Sequence, residues 1–265
     1  DCPTCDPMPI QVSITNMLRK NGFSVMAMAP VENPAKCWHQ NDRVQVGQAM
    51  QYIVEATRGF YGSNSSRPAM YAIGVENGGV FLGNYAESMG NTFRTKFSAM
   101  CLMNSGIWHK NMKAPAFPPV AFVDLARNGE LCAHNNLTVQ VLHSKNIPAT
   151  QFYSDPRPIT KGYFTPIMSV NESYLYHEEL AKAGFLWPFN GVLLKDPTSD
   201  YYRRDMMAIL NRVAPEVASS EPMGRGLNSP LMQLLRLAWG YREINDDHID
   251  QIMEWFDSHG SKLNT

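Results

Sequence analysis

Tyr71-Ala72-Ile73-Gly74-Val75-Glu76-Asn77-Gly78-Gly79-Val80 is the stretch that decides how this chain folds. The apolar run from Ala69 to Ile73 reads as a buried strand, and Val80 to Ser88 reads as a helix. Between them lies a tight turn with Gly74, Gly78 and Gly79 placed around Glu76. A strand-to-helix turn of this shape, G-x-S-x-G, is a nucleophile elbow, whose central residue sits on strained backbone. Glycines tolerate that backbone and let the helix approach the strand closely. Here a glutamate stands where the serine should be.

Working outward, helix and strand patterns alternate. Residues 9–20 carry apolar groups at helical spacing and stop at Asn21-Gly22, and Phe23 to Ala29 predicts a strand. A helix is expected over 42–57 with Asp42 as its cap, and strands over 97–103 and 118–124. A helix over 130–145 and a strand over 149–153 follow. Strands separated by helices point to an α/β fold, a mostly parallel sheet covered on both faces. From Asp155 prolines break the pattern and short helices follow (172–183, 201–214). The whole chain, 1–265, therefore reads as one domain with a helical cap or insertion over about 155–222. Helices over 229–238 and 246–257 close it.

Composition narrows the function. With 265 residues, 44% of them apolar, the chain can bury a sizeable core. A net charge of −1 and a pI near 6.7 argue against nucleic acid or an anionic membrane held by bulk electrostatics. No apolar stretch approaches the roughly 20 residues of a membrane span. Of the five cysteines, Cys101 and Cys132 read as plain thiols. Cys2, Cys5 and Cys37 with His39 offer a Cys₃His zinc set, but C-x-H is poor ligand spacing. The same cysteines suit a disulfide involving Cys37, and neither metal nor cofactor is expected. Glycosylation sequons stand at Asn64, Asn136 and Asn171. Cysteines and sequons together lean toward a secretory or organelle-lumen route.

With these motifs in order, the chain resembles the α/β-hydrolase fold, and more closely a poorly characterised eukaryotic family of α/β-hydrolases. Members share a C-P-x-C segment, a G-[YF]-x-V strand and a Cys-Trp pair, matched by Cys2 to Cys5, Gly22 to Val25, and Cys37-Trp38. Their G-A-S-S-G-G elbow aligns with Gly74 to Gly79, and their P-P-x-x-F-V strand with Pro118 to Val123. A P-x-P-[IL]-T…F segment matches Pro156 to Thr160 with Phe164.

What the resemblance implies turns on three departures. The family's serine falls on Glu76, its acid on Asn128 and its histidine on Arg242. Ester hydrolysis by this route needs a hydroxyl nucleophile, an imidazole base and a carboxylate to orient it. Arginine stays protonated and cannot serve as the base. The resemblance thus implies a pseudoenzyme, with Glu76 and Arg242 converging as an ion pair and Asn128 bonded to one of them.

Other enzyme readings are weaker. Glu76 as a nucleophile lacks an aligned histidine, His248 being six residues further on. Asp124 or Glu130 as the acid lacks a base, and Ser105 lacks the elbow. The family's oxyanion loop lies upstream of the Cys-Pro-x-Cys segment, so its first strand is expected either to be lost or to precede Asp1. A lost strand would expose a sheet edge for a neighbouring subunit to cover. The expected partners are thus other protein subunits of a larger complex. The alternative is a pseudoenzyme that binds a small or lipidic ligand among the aromatics Tyr163, Phe164, Tyr174, Tyr176, Phe185, Trp187 and Phe189.

Overall fold

The computed structural model describes residues 8–30, 37–61, 69–89, 97–107, 117–220 and 229–260. The chain divides into two compact units. One comprises Asp1–Phe23, Leu125–Asn128 and Ser154–Asp247, and the other Ser24–Asp124, Gly129–Tyr153 and His248–Thr265.

The second unit is built on a four-stranded sheet of β1 (Tyr71–Val75), β2 (Ala99–Met103), β3 (Val120–Leu125) and β4 (Ala149–Ser154), in that spatial order. β1 pairs with β2 in parallel, Tyr71 opposite Ala99, and β2 with β3, Met100 opposite Val120. Val120 N–H donates to Pro148 and Ala126 N–H to Ser154 (3.1 and 2.9 Å), a constant offset that makes β4 parallel too. The α/β class with a parallel sheet is therefore as expected.

Four helices accompany the sheet: α2 (Asp42–Tyr61), α3 (Asn77–Met89), α4 (Gly129–Ser144) and α9 (Ile249–Gly260). Ala72, Met100, Leu102, Val120 and Phe122 share one face and pack with Val46 and Met50 of α2, Phe81, Leu82 and Tyr85 of α3, and Leu142 of α4. Strand side chains alternate between faces. Tyr71 therefore points the other way, where it stacks on Phe256 of α9 at 4.7 Å. β2 and β3 are completely buried and, apart from Asp124, apolar, as strands covered on both faces should be.

The first unit carries α1 (Pro9–Lys20), α5 (Val170–Lys182), α6 (Asp200–Val213), α7 (Pro215–Ser219) and α8 (Pro230–Trp239). α5 begins with a capping box, Ser169 and Glu172 satisfying each other's backbone N–H. α8 stops at Gly240, which adopts φ +72°, and a Cβ there would lie 2.9 Å from Pro156 Cα. Phe164 and Tyr176 are fully buried with ring centres 5.0 Å apart.

The segment Phe23–Ala29 departs from expectation. It forms no strand, and Val25 and Met26 are 41% and 48% exposed. Its β-like composition is not enough, because a strand needs a partner edge to satisfy its backbone.

Candidate functional site

The elbow is present in full geometry. Glu76 has φ +48°, the left-handed region that side chains other than glycine seldom adopt. Its N–H donates to Met103 at 2.9 Å, and its carbonyl accepts from Gly79 and Val80 at 3.0 Å, starting α3 at once. The glycines are needed for packing. A Cβ on Gly74 would fall 2.7 Å from Gly79 Cα, and one on Gly79 would fall 2.5 Å from both Cβ and Oγ of Ser105. Gly78 faces Trp38, whose indole nitrogen would be 3.3 Å from an added Cβ.

Trp38 covers this turn. Its N–H donates to the Asn77 side chain at 2.6 Å, and its ring stacks on Phe81 of α3 at 4.7 Å. The residue next to Glu76 is thereby tied to the Trp38 backbone.

The other two positions lie in the first unit. Asn128 closes a tight turn after β3, its N–H donating to Leu125 at 2.9 Å. Arg127 N–H donates to Gly240 at 3.1 Å, which brings the Asn128 turn beside the segment carrying Arg242. The Arg127 guanidinium lies 3.7 Å from the centre of the Trp239 ring and donates to Leu193 at 2.9 Å. Arg242 itself is exposed. Next to it, Glu243 is buried and pairs with Arg236 at 2.8 Å.

The candidate acids and bases are scattered. Glu130 is exposed in the first turn of α4. His248 lies just before α9, donating to the Tyr153 carbonyl at 2.9 Å and stacking on Phe152. Ser105 follows β2 in a turn where Asn104 has φ +48°, and its Oγ is buried with no hydrogen-bond partner among the described residues.

Asp124 is fully buried among amides that sequence reasoning overlooked. Asn135 Nδ2 donates to both carboxylate oxygens (2.9 and 3.0 Å) and Gln151 Nε2 to Oδ2 (2.7 Å). Burial pushes this carboxyl up to about 6, against the hydrogen bonds, which pull it down. The signal was an acid inside an apolar strand, but its partners on α4 and β4 carry no pattern.

Cys2, Cys5 and Asn64 lie outside the described residues. Among the described residues no disulfide joins two cysteines, and no three His, Cys, Asp or Glu side chains form a metal-binding group. No described helix is long and apolar enough to cross a membrane. Asn136 and Asn171 are exposed, yet the hydroxyl residues of their sequons, Thr138 and Ser173, are buried and bonded internally.

No protein-family model and no curated protein matches the chain. Among solved structures, MGS-M1, described as an alpha/beta hydrolase enzyme from a Medee basin deep-sea metagenome library, is similar at 13% identity and a TM-score of 0.37. The alignment covers 79% of this chain and 78% of that one.

Proposed function

We propose that this chain is a catalytically inactive α/β-hydrolase homologue that serves as a structural subunit of a larger protein assembly. The observation that carries the reading is Glu76 at φ +48°. Holding a non-glycine residue there costs about 1–2 kcal/mol, a strain that a hydrolase elbow puts to use in presenting its nucleophile. This chain retains the strained turn while its residue is a carboxylate, with Asn128 and Arg242 at the other two triad positions. The Trp38–Asn77 tie adds support, since it engages the neighbour of the old nucleophile position in a structural contact.

Purification from the native source under mild conditions tests the proposal. Elution in a large stoichiometric complex is the expected result. Elution alone, at the chain's own 29.8 kDa, would sink it. The vestigial site would then be screened for a bound small or lipidic molecule.

A further inference from the structure

Asp124 is buried, yet a chain of hydrogen bonds runs from it to the surface through a single amide. Side chains alternate along β4, so Gln151 and Tyr153 stand on the same face of the strand. The phenol of Tyr153, whose side chain is 48% exposed, donates to Gln151 Oε1 at 2.6 Å. At the other end of that amide, Nε2 donates to Asp124 Oδ2 at 2.7 Å and to the Cys132 carbonyl at 2.9 Å. A backbone carbonyl can only accept, so Cys132 fixes which end of the amide meets the acid. The amide oxygen is left to face the phenol.

The same carboxylate is held from α4. Asn135 Nδ2 is shared among both of its oxygens (2.9 and 3.0 Å) and the Ser105 carbonyl (3.1 Å). An ionised Asp124 thus ties α4, β4 and the turn after β2 to the end of β3 as an acceptor. A protonated Asp124 gives up part of that acceptor capacity. Burial drives the carboxyl toward its protonated form, and the bonds from Gln151 and Asn135 draw it back.

Hydrogen bonds in series polarise one another. An amide oxygen that accepts from a phenol makes its own N–H a stronger donor, by about 10–30% per bond. Other titratable groups also face Asp124. His134 on α4 favours its ionised form, while burial first and the Asp124 charge second hold the thiols of Cys101 on β2 and Cys132 on α4 protonated.

We propose that Tyr153 is a surface control point for the charge of Asp124: its phenol, acting through Gln151, favours the carboxylate, and loss of that donor turns the buried acid toward its protonated form. Tyr153 is a positioning residue in this device, and Gln151 is the part that carries its effect inward.

A carboxyl-carbon NMR titration of Asp124 in the whole 265-residue chain tests it, with the His134 ring signals followed alongside so that the two steps are told apart. Tyr153→Phe, which keeps the ring and removes the donor, should move the Asp124 midpoint upward by about 0.3–0.6 pH unit. Gln151→Met should move it upward by about one pH unit or more, since a hydrogen bond to a charged group is lost. Adding Tyr153→Phe to Gln151→Met should then produce no further shift. An unchanged midpoint in Tyr153→Phe overturns the proposal. So does a Tyr153→Phe shift of the same size in the Gln151→Met background, because the phenol would then act by another route. Should the Gln151 variants fail to fold, a ring-fluorinated tyrosine at position 153 decides. As a stronger donor it should move the midpoint downward, opposite in sign to Tyr153→Phe, and an unchanged or raised midpoint overturns the proposal.

Discussion

A Cβ on Gly79 would come within 2.5 Å of both Cβ and Oγ of Ser105, so the first turn of α3 and the turn after β2 are in contact through a missing methyl group. Both atoms belong to a buried side chain with little room to retreat. Gly79→Ala should destabilise the chain by about 1–3 kcal/mol, the usual penalty for overpacking. The double variant Gly79→Ala with Ser105→Gly should recover most of the loss. Thermal unfolding of the three variants checks this, and absence of rescue would place the strain elsewhere.

Ser105→Ala alone should be neutral or slightly stabilising. Its Oγ is buried without a partner among the described residues, and removing such a group relieves a desolvation cost of about 1–3 kcal/mol. A clear loss of stability in urea titrations would show that the hydroxyl is bonded in solution.

Asp124 predicts an acid-side gain in stability. Its folded pKa, about 6, lies above its ordinary value, so the protonated form is favoured in the fold. The stabilising contribution is complete below the unfolded pKa near 3.8 and is lost as the pH rises through 6. The change between pH 4 and pH 7 should amount to about 2–3 kcal/mol. Asp124→Asn should abolish this slope, although its amide would meet the donors of Asn135 and Gln151 and lower overall stability. A wild-type profile flat across pH 5–7, or a slope that survives the substitution, contradicts the assignment.

Arg127 links the β3 turn to Leu193 and Trp239 within one unit. Arg127→Ala should cost about 1–2 kcal/mol through the lost stacking alone. Lysine should restore only part of it, lacking the planar guanidinium. Equal stability of the alanine and lysine variants would argue against the stack.

The inactive-elbow reading makes an enzymatic prediction. Glu76→Ser should remain without esterase activity, because Asn128 and Arg242 provide neither acid nor base. Measurable turnover of a p-nitrophenyl ester by that single variant, above wild type, would mean that another histidine serves the site.

Much of the fold was legible locally. The helix over 9–20 matches its observed bounds, and β1 to β4 lie where apolar runs end at turns. Glycine spacing around Glu76 foretold the elbow, because that turn is a local backbone problem solved by residues adjacent in sequence. The misread element, Phe23–Ala29, shows the limit of this legibility: strand composition was visible, but the pairing a strand requires is not a local property.

What the sequence by itself determined, then, is the alternating architecture and the glycine-flanked turn at Glu76. Each depends on residue identity or short-range spacing. Only the tertiary structure decided that Asn135 and Gln151 converge on Asp124, and that His143 and His248 reach the Ala149 and Tyr153 carbonyls of β4. These contacts join groups far apart in the chain. They arise from strand order and helix placement, which pack backbone and side chains together without leaving a periodic signal in the sequence.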